Sequence, residues 1–416
     1  MPVNGIIHEP MLTRLKEHLL SERYCSEVTS KSLTTTQRFL SYLREKELRI
    51  EAARPADVQA FLKQELQCHL ERYGHPPKES RAWCRPHAAA VHMLLRLERG
   101  QWPPREPADV NEAFRRRLCD EYAKWLSTSR SLAPSTIDLR LGHAQDLLRW
   151  LEERSNQDRL ADLTTPDIDG YIKSRAPGLR RTTCASLATC LRSFLRFLHA
   201  HEWIRMDLAH AVPGPPRYAF EDIPSVLQPE DVAAVLETAR KDQTPVGLRD
   251  YAILMLLTSY GLRAGEVTRL CLEDIDWRHD RLRVRHSKTG GEVVLPLLAP
   301  AGEAILRFIQ KARPASKARE IFIRMRAPYR PFRRGGSLHG LVTRRLQQAG
   351  VKPRGKHGPH VFRHTLAVSL LRAGVPMKPI GDVLGHRSVD STAVYLKLAT
   401  EDLRAVGLEI PREVSR

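Results

Sequence analysis

Four short segments between residues 260 and 395 combine side chains that suit the chemistry of a phosphate diester. Arginines offer planar, permanently charged donors that can bind two phosphoryl oxygens at once, and a tyrosine can act as a covalent nucleophile. Taken singly, each segment has an ordinary explanation: an arginine near a helix start is usually solvated, a lysine in a hairpin turn is common, and Tyr395 alone fits a half-buried core position. The segments are Tyr260-Gly-Leu-Arg263-Ala-Gly-Glu266, His286-Ser-Lys288-Thr-Gly-Gly, His360-Val-Phe-Arg363-His364, and Leu384-Gly-His386-Arg-Ser, which Tyr395 follows.

The spacing of His360 and His364 also fits a metal site, because residues four apart lie on one face of a helix. The intervening residues lack the glutamate of the H-E-x-x-H pattern, and Arg363 would repel a cation, so this interpretation is disfavoured. The sequence also contains no G-x-x-x-x-G-K-[ST] phosphate loop and no clear acidic metal cluster. We therefore expect no cofactor, neither a nucleotide nor a metal ion.

Taken together and in this order, the segments resemble the tyrosine recombinase, or phage integrase, family. Its catalytic set is an arginine, a lysine, a His-x-x-Arg pair, a histidine or tryptophan, and a nucleophilic tyrosine near the C-terminus. The resemblance is strong over about residues 225–400 and extends weakly over 108–212, which is similar to the helical core-binding domain of the family. The matching residues are Arg263, Lys288, His360, Arg363, His386 and Tyr395.

The resemblance implies that Tyr395 attacks a DNA phosphodiester. The bond energy would be stored in a covalent 3′-phosphotyrosine, so strands could be rejoined without ATP or metal. A free phenol has a pKa of about 10, so the tyrosine needs help in losing its proton, and family analogy makes His360 the candidate base. Lys288 would protonate the departing 5′ oxygen as a general acid.

The other family positions imply binding of the reacting phosphate. Arg263 and Arg363 would hold the phosphoryl oxygens on which charge develops, because each guanidinium is a bidentate cationic donor. His386 would donate a hydrogen bond to the same phosphate. Glu266 would buttress the arginine site and take no part in the chemistry.

A strong excess of positive charge supports a nucleic-acid partner. The chain has 67 Lys and Arg against 48 Asp and Glu, a net charge of +19 over 416 residues, and such an excess most often marks a polyanionic partner. Residues 321–364 hold eleven Lys or Arg and no acid, a run that would repel itself without a partner. All of these except Arg363, together with two arginines of the core-binding segment, are predicted DNA-backbone contacts. They are Arg324, Arg326, Arg330, Arg333, Arg334, Arg344, Arg345, Lys352, Arg354, Lys356, Arg180 and Arg181.

Composition excludes several other classes of protein. Hydrophobic residues make up 42% of the chain, which rules out wholesale disorder. The longest apolar stretch, Tyr251 to Leu257, is far too short to span a membrane. The first ten residues lack the pattern of a secretion signal, and the seven cysteines form no C-x-x-C pair. We expect a cytoplasmic, nucleoid-associated protein.

Two proline-rich stretches predict three domains. Gln101-Trp-Pro-Pro-Arg-Glu-Pro107 and Ala211-Val-Pro-Gly-Pro-Pro-Arg217 each carry three prolines, which stiffen linkers and stop helices. The predicted fold is mainly α. It comprises an extra helical domain at 1–104, a helical core-binding domain of SAM-like fold at 108–212, and an α+β catalytic domain at 220–416. Thr289-Gly-Gly between two alternating segments predicts a β-hairpin in the third domain.

The first domain has the pattern of a diverged copy of the second. Phe39-Leu-Ser-Tyr-Leu43 parallels Leu147-Leu-Arg-Trp-Leu151 at an offset of 108 residues, and further matches follow in the same order. The alternative is that any two amphipathic helical bundles resemble each other to this extent.

These observations predict a site-specific DNA recombinase or integrase, from a mobile element and active in transposition. The resemblance implies a homotetramer on double-stranded DNA, or an assembly with related recombinases. Three alternatives stay open: a type IB topoisomerase, which shares this chemistry; a DNA-binding protein whose catalytic set is vestigial; and, less favoured, a metal-dependent transposase.

Overall fold

The computed structural model describes residues 9–103, 107, 109–156, 159–216, 225–286, 291–332, 337–353, 355, 357–385 and 395. Within these ranges helices predominate, and one three-stranded antiparallel sheet has its strands in chain order, which confirms the predicted fold class. Every helix in this part of the chain is too short or too polar to cross a bilayer.

The chain folds into two compact units. The first comprises Met1–Lys16 and Ser30–Tyr218, and the second, the C-terminal unit, comprises Glu17–Thr29 and Ala219–Arg416. The further division of the first unit into domains at 1–104 and 108–212 stays a prediction. The helices of the N-terminal half are α1 (Glu9–Ser21), α2 (Ser26–Glu45), α3 (Pro55–Tyr73), α4 (Ser80–Arg99), α5 (Val110–Thr128), α6 (Pro134–Leu151), α7 (Thr165–Arg175) and α8 (Arg181–Ala200).

Two apolar clusters lie within the first unit. In α2 and α3, the buried rings of Phe39 and Phe61 meet edge to face with their centroids 5.2 Å apart. In α5 to α8, the stripe on α8 packs into a core that includes Tyr122, whose hydroxyl donates to Ser193 Oγ at 2.9 Å. The apolar stripe of α8 is buried throughout: Leu191, Phe194, Leu195 and Leu198. The structure leaves the proposed duplication a prediction.

The C-terminal unit is built around the helix α10 (Pro245–Tyr260), which is almost wholly buried. Its neighbours are the helices at 229–241, 299–311 and 360–372, and its continuous apolar run is buried against them. The elements of this unit are α9 (Pro229–Lys241), α10 (Pro245–Tyr260), α11 (Ala264–Val267), β1 (Ile275–Asp276), β2 (Arg281–Arg285), β3 (Glu292–Pro296), α12 (Ala299–Lys311), α13 (Ser337–Gln348), α14 (His360–Arg372) and α15 (Met377–Leu384).

Strands β2 and β3 form the predicted hairpin. Leu282 pairs with Leu295 and Val284 with Val293, so alternate residues of β2 face the core. The turn at 287–290 lies outside the described residues.

The chain reverses at Gly261, directly after α10. Its φ of +60° lies in the left-handed region that favours glycine. A Cβ there would fall 2.9 Å from Leu384 Cδ2 and 3.1 Å from Leu366 Cδ2, so only glycine lets this loop approach α14 and α15 so closely. The reversal therefore places Arg263 beside the start of α14.

Candidate active site

Arg263 is held by the first turn of α11. Its backbone N–H donates to Glu266 Oε2 at 2.8 Å, and its Nη1 donates to Glu266 Oε1 at 2.9 Å. A third bond runs from its Nη2 to the carbonyl oxygen of Gly385, at 3.0 Å. One buried carboxylate therefore fixes both the backbone and the side chain of this arginine.

His286 completes the contacts of Glu266 from the end of β2. Its Nδ1 lies 2.9 Å from Glu266 Oε1, and the ring is buried. A Cβ on Gly385, whose φ is +62°, would fall 2.6 Å from His286 Cε1, so the ring lies directly against that backbone. The sequence did not single out His286 as a site residue. The signal was available, since His286 continues the buried alternation of Leu282 and Val284.

The carboxylate of Glu266 makes a pH-dependent contribution to stability. Burial raises its pKa, but hydrogen bonds from His286 and Arg263 outweigh burial, and the pKa lies below the ordinary 4.5. Because the folded-state pKa is the lower one, the stabilisation is present above the unfolded value and is lost as pH falls through the folded value. We expect Glu266→Gln to lower the free energy of unfolding by about 1–3 kcal/mol at pH 7, and by less near pH 4.

Urea unfolding of both proteins at a series of pH values measures this difference. Glu292→Gln, at an exposed position on β3, is the matched control and should stay within about 0.5 kcal/mol of the parent protein. A Glu266→Gln deficit as large at pH 4 as at pH 7 would contradict the assignment.

Arg363 is the most deeply placed cation of the site. It lies in the first turn of α14 and is 4% exposed. Its Nη1 donates to the Gly261 carbonyl at 2.8 Å, and its Nη2 donates to the Leu384 carbonyl. Burial and the nearby charge of Arg263 lower its pKa to about 10, so it stays charged at neutral pH. The two arginines therefore hold adjacent carbonyls at the end of α15.

Tyr395 packs into a small apolar cluster formed by α14 and α15. It is 3% exposed, and its hydroxyl lies 3.1 Å from His364 Nδ1. Burial raises the pKa of the phenol, while the charges of Arg363 and Arg263 and a hydrogen bond from Arg363 act in the opposite direction. The buried members of the cluster are Ala367, Val368, Ile380, Leu384 and Tyr395.

The structure thus brings four of the predicted residues together: Arg263, Glu266, Arg363 and Tyr395. His360, the other predicted site residue that the structure describes, is exposed. It lies one turn before His364, and the two ring centroids are 6.0 Å apart. The sequence alone does not predict that His364 lies beside Tyr395. The available signal is that His364 directly follows the predicted site residue Arg363. Lys288 and His386 lie outside the described residues, and the described neighbours of each, His286 and Gly385, both lie at the site.

Most of the cations predicted to contact DNA, where the structure describes them, are exposed. Arg324, Arg326 and Lys352 are exposed, as is Arg330, which forms an ion pair with Glu22 at 3.0 Å. Arg180 and Arg181, at the start of α8 in the first unit, are also exposed. Arg333, Arg334, Arg354 and Lys356 lie outside the described residues.

Arg344 and Arg345 belong to an ionic network around Asp250, which is fully buried. Arg345 is 3% exposed, and its guanidinium binds Asp250 at 2.9 Å and Asp242 at 2.8 Å. Arg344 is exposed but also reaches Asp250, and Arg249 binds the other carboxylate oxygen at 2.7 Å. Arg345 thus stabilises the interior of the C-terminal unit, and its carboxylate partners leave it little capacity to meet a phosphate.

Metal ligands do not cluster in the described part of the chain. No group of three or more His, Cys, Asp or Glu side chains there has a geometry that could hold an ion.

Comparisons with known proteins find sequence similarity over most of the chain. A family model described as phage integrase family matches residues 225–402, and one described as phage integrase, N-terminal SAM-like domain, matches 119–202. The chain is 36% identical over 327 residues to the putative integrase/recombinase y4rA of Sinorhizobium fredii, covering 78% of this chain and 79% of that protein. It is 28% identical over 300 residues to the tyrosine recombinase XerC of Syntrophus aciditrophicus, covering 70% and 95%.

A solved structure shows a similar fold. The crystal structure of a lambda integrase tetramer bound to a Holliday junction matches with a TM-score of 0.50 at 18% identity, covering 74% of this chain and 85% of that one.

Proposed function

This chain belongs to the phage integrase family of tyrosine recombinases, and from that premise we propose that it is a site-specific DNA recombinase or integrase. It cleaves and rejoins DNA strands through a 3′-phosphotyrosine at Tyr395, without ATP or metal. The observation that carries the proposal is the convergence beside Tyr395 of Arg263 and Arg363, which lie 100 positions apart in the chain.

The two arginines stabilise the charge that develops on the scissile phosphate. Each is oriented by fixed protein partners, so little reorganisation is needed as the reaction proceeds. Glu266 and His286 orient Arg263, and the carbonyls of Gly261 and Leu384 orient Arg363. Such preorganised cationic donors favour the transition state over the ground state.

The remaining chemistry is assigned to two residues by family position. Lys288 protonates the departing 5′ oxygen, and His386 donates a hydrogen bond to the phosphate. The described residues beside them support this placement, because His286 and Gly385 are in contact with each other and with the Glu266–Arg263 pair.

Backbone binding is assigned to the exposed cations. The exposed cations proposed to bind phosphates without reading sequence are Arg324, Arg326, Arg330, Arg344, Lys352, Arg180 and Arg181. Further candidates are Arg333, Arg334, Arg354 and Lys356. Four protomers assemble on two double-stranded sites and exchange strands in succession, as a homotetramer or with related recombinases. The enzyme acts at the nucleoid, on the DNA of a mobile element.

The test is covalent capture of DNA. The protein is incubated in EDTA with fragments of the DNA that flanks its own gene. The mixture is then denatured in SDS, and the fragments that stay covalently bound are sequenced. A nicked duplex built on the captured site, which loses a short strand after cleavage, then traps the adduct. We expect an adduct in EDTA, and recombinant products from two plasmids that carry the site.

Each of the other outcomes indicates a different activity. Relaxation of supercoils without recombinants indicates a topoisomerase, binding without an adduct indicates a vestigial catalytic set, and an adduct that needs divalent metal indicates a different mechanism.

A further inference from the structure

The nucleophile has a close polar neighbour that is not the expected base. His364 Nδ1 lies 3.1 Å from Tyr395 Oη, with the two ring centroids 5.6 Å apart. His364 is half-buried and directly follows Arg363 on α14. His360, the family candidate, is exposed one turn earlier on the same helix.

A contact of this kind suits a proton transfer. A phenol is a donor, so Nδ1 accepts if the neutral ring carries its own proton on Nε2. A general base must lie within about 2.6–3.2 Å of the atom that carries the proton, which His364 does. Tyr395 is 3% exposed, so bulk water has little access to the phenol and a protein group must receive its proton.

We propose that His364 is the general base that deprotonates Tyr395, an inference that rests on the proposed function. The proton moves from Oη to Nδ1 as Oη forms its bond to phosphorus. The P–O5′ bond breaks, and its electron pair leaves with the 5′ oxygen, which takes a proton from Lys288. On religation the 5′ hydroxyl gives its proton to the neutral amine of Lys288 as its oxygen attacks phosphorus. The Oη–P bond breaks, and the imidazolium of His364 returns its proton to Oη.

Arg363 supports this step from the neighbouring position. Its charge and hydrogen bond favour the phenolate, against the burial that disfavours it. One turn of α14 would thus supply both the acceptor for the proton and the cation that stabilises the resulting negative charge.

Two substitutions separate a base from a merely positioning contact. His364→Asn keeps an amide oxygen near the place of Nδ1 and can still accept a hydrogen bond, but it cannot take a proton. His364→Ala removes both capacities. We expect both variants to form adduct on the nicked duplex at least about 100-fold more slowly than the parent in single turnover, with DNA binding and melting temperature retained. His279→Asn, an exposed histidine before β2, is the matched control and should react at the parent rate.

A modified substrate distinguishes the base from the acid. With sulfur in place of the bridging 5′ oxygen, the leaving thiolate needs no proton, since the pKa of a thiol is only about 8.5. Lys288→Ala should regain activity on this substrate, whereas His364→Asn should stay slow.

A parent-like rate for His364→Asn would overturn the proposal and leave His364 a positioning residue. A faster rate for His364→Ala would also overturn it, since the contact would then restrain the nucleophile. An absent adduct in the parent protein would count against the proposed function instead.

Discussion

The Tyr395→Phe variant is expected to form no covalent adduct with the nicked duplex, while its affinity for the same DNA stays close to that of the parent protein. In the proposed mechanism this hydroxyl carries the whole of the covalent chemistry, so the adduct should vanish rather than decrease. Phenylalanine fits the apolar cluster of α14 and α15, and the substitution removes the contacts of the hydroxyl with His364 and Arg363. SDS gels of the trapped reaction measure the adduct, and gel shifts measure the binding.

Tyr251→Phe provides the matched control. Tyr251 is partly buried on α10 and takes no part in the proposed chemistry, so this variant should form adduct at the parent rate. An adduct that persists in Tyr395→Phe would disprove the assignment of the nucleophile.

Removal of the Arg363 guanidinium should damage both catalysis and folding. Loss of one preorganised donor at a transition state typically costs about 10²–10³ in rate, and Arg363 also holds Tyr395, so we expect adduct formation in Arg363→Ala to fall by about 10³ or more. The carbonyls of Gly261 and Leu384 would each lose a donor in the interior, which should lower the free energy of unfolding by about 2–4 kcal/mol.

Arg363→Lys separates charge from geometry. An ammonium group keeps the positive charge but cannot bond both carbonyls with one planar fork, so the rate should still fall at least about 100-fold. Arg372→Ala, at the exposed far end of α14, serves as the control and should change neither rate nor stability appreciably. Parent-like kinetics in Arg363→Lys would show that only net charge matters at this position.

The sequence predicts those site residues for which residue type and order along the chain are sufficient evidence. The arginines and Tyr395 stood out because their spacing matches a family, and the hairpin because a Thr-Gly-Gly turn separates two alternating strands. His286 and His364 were missed because their roles depend on partners 20 and 31 residues away. The alternation of β2 indicates that His286 is buried, but no local pattern shows which group either histidine contacts.

The distribution of charge along the sequence also does not show which charged side chains are buried. Arg345 looked like one more cation in an acid-free run, yet it follows Leu338 and Val342 on the buried face of α13. A helical projection would place it there, but only the fold brings Asp242 and Asp250 within reach.

The buried cations of the network around Asp250 and the exposed cations of this protein should respond differently to ionic strength. The Debye length shrinks from about 8 Å at physiological salt to about 3 Å at 1 M, which screens exposed charges and spares buried ones. Asp250 and Arg345 are almost inaccessible to solvent, so concentrated salt should leave their attraction intact. The same salt would strip a polyanion from Arg324 and Arg326. We therefore expect that concentrated salt can free the protein of adhering nucleic acid during purification without loosening the C-terminal unit.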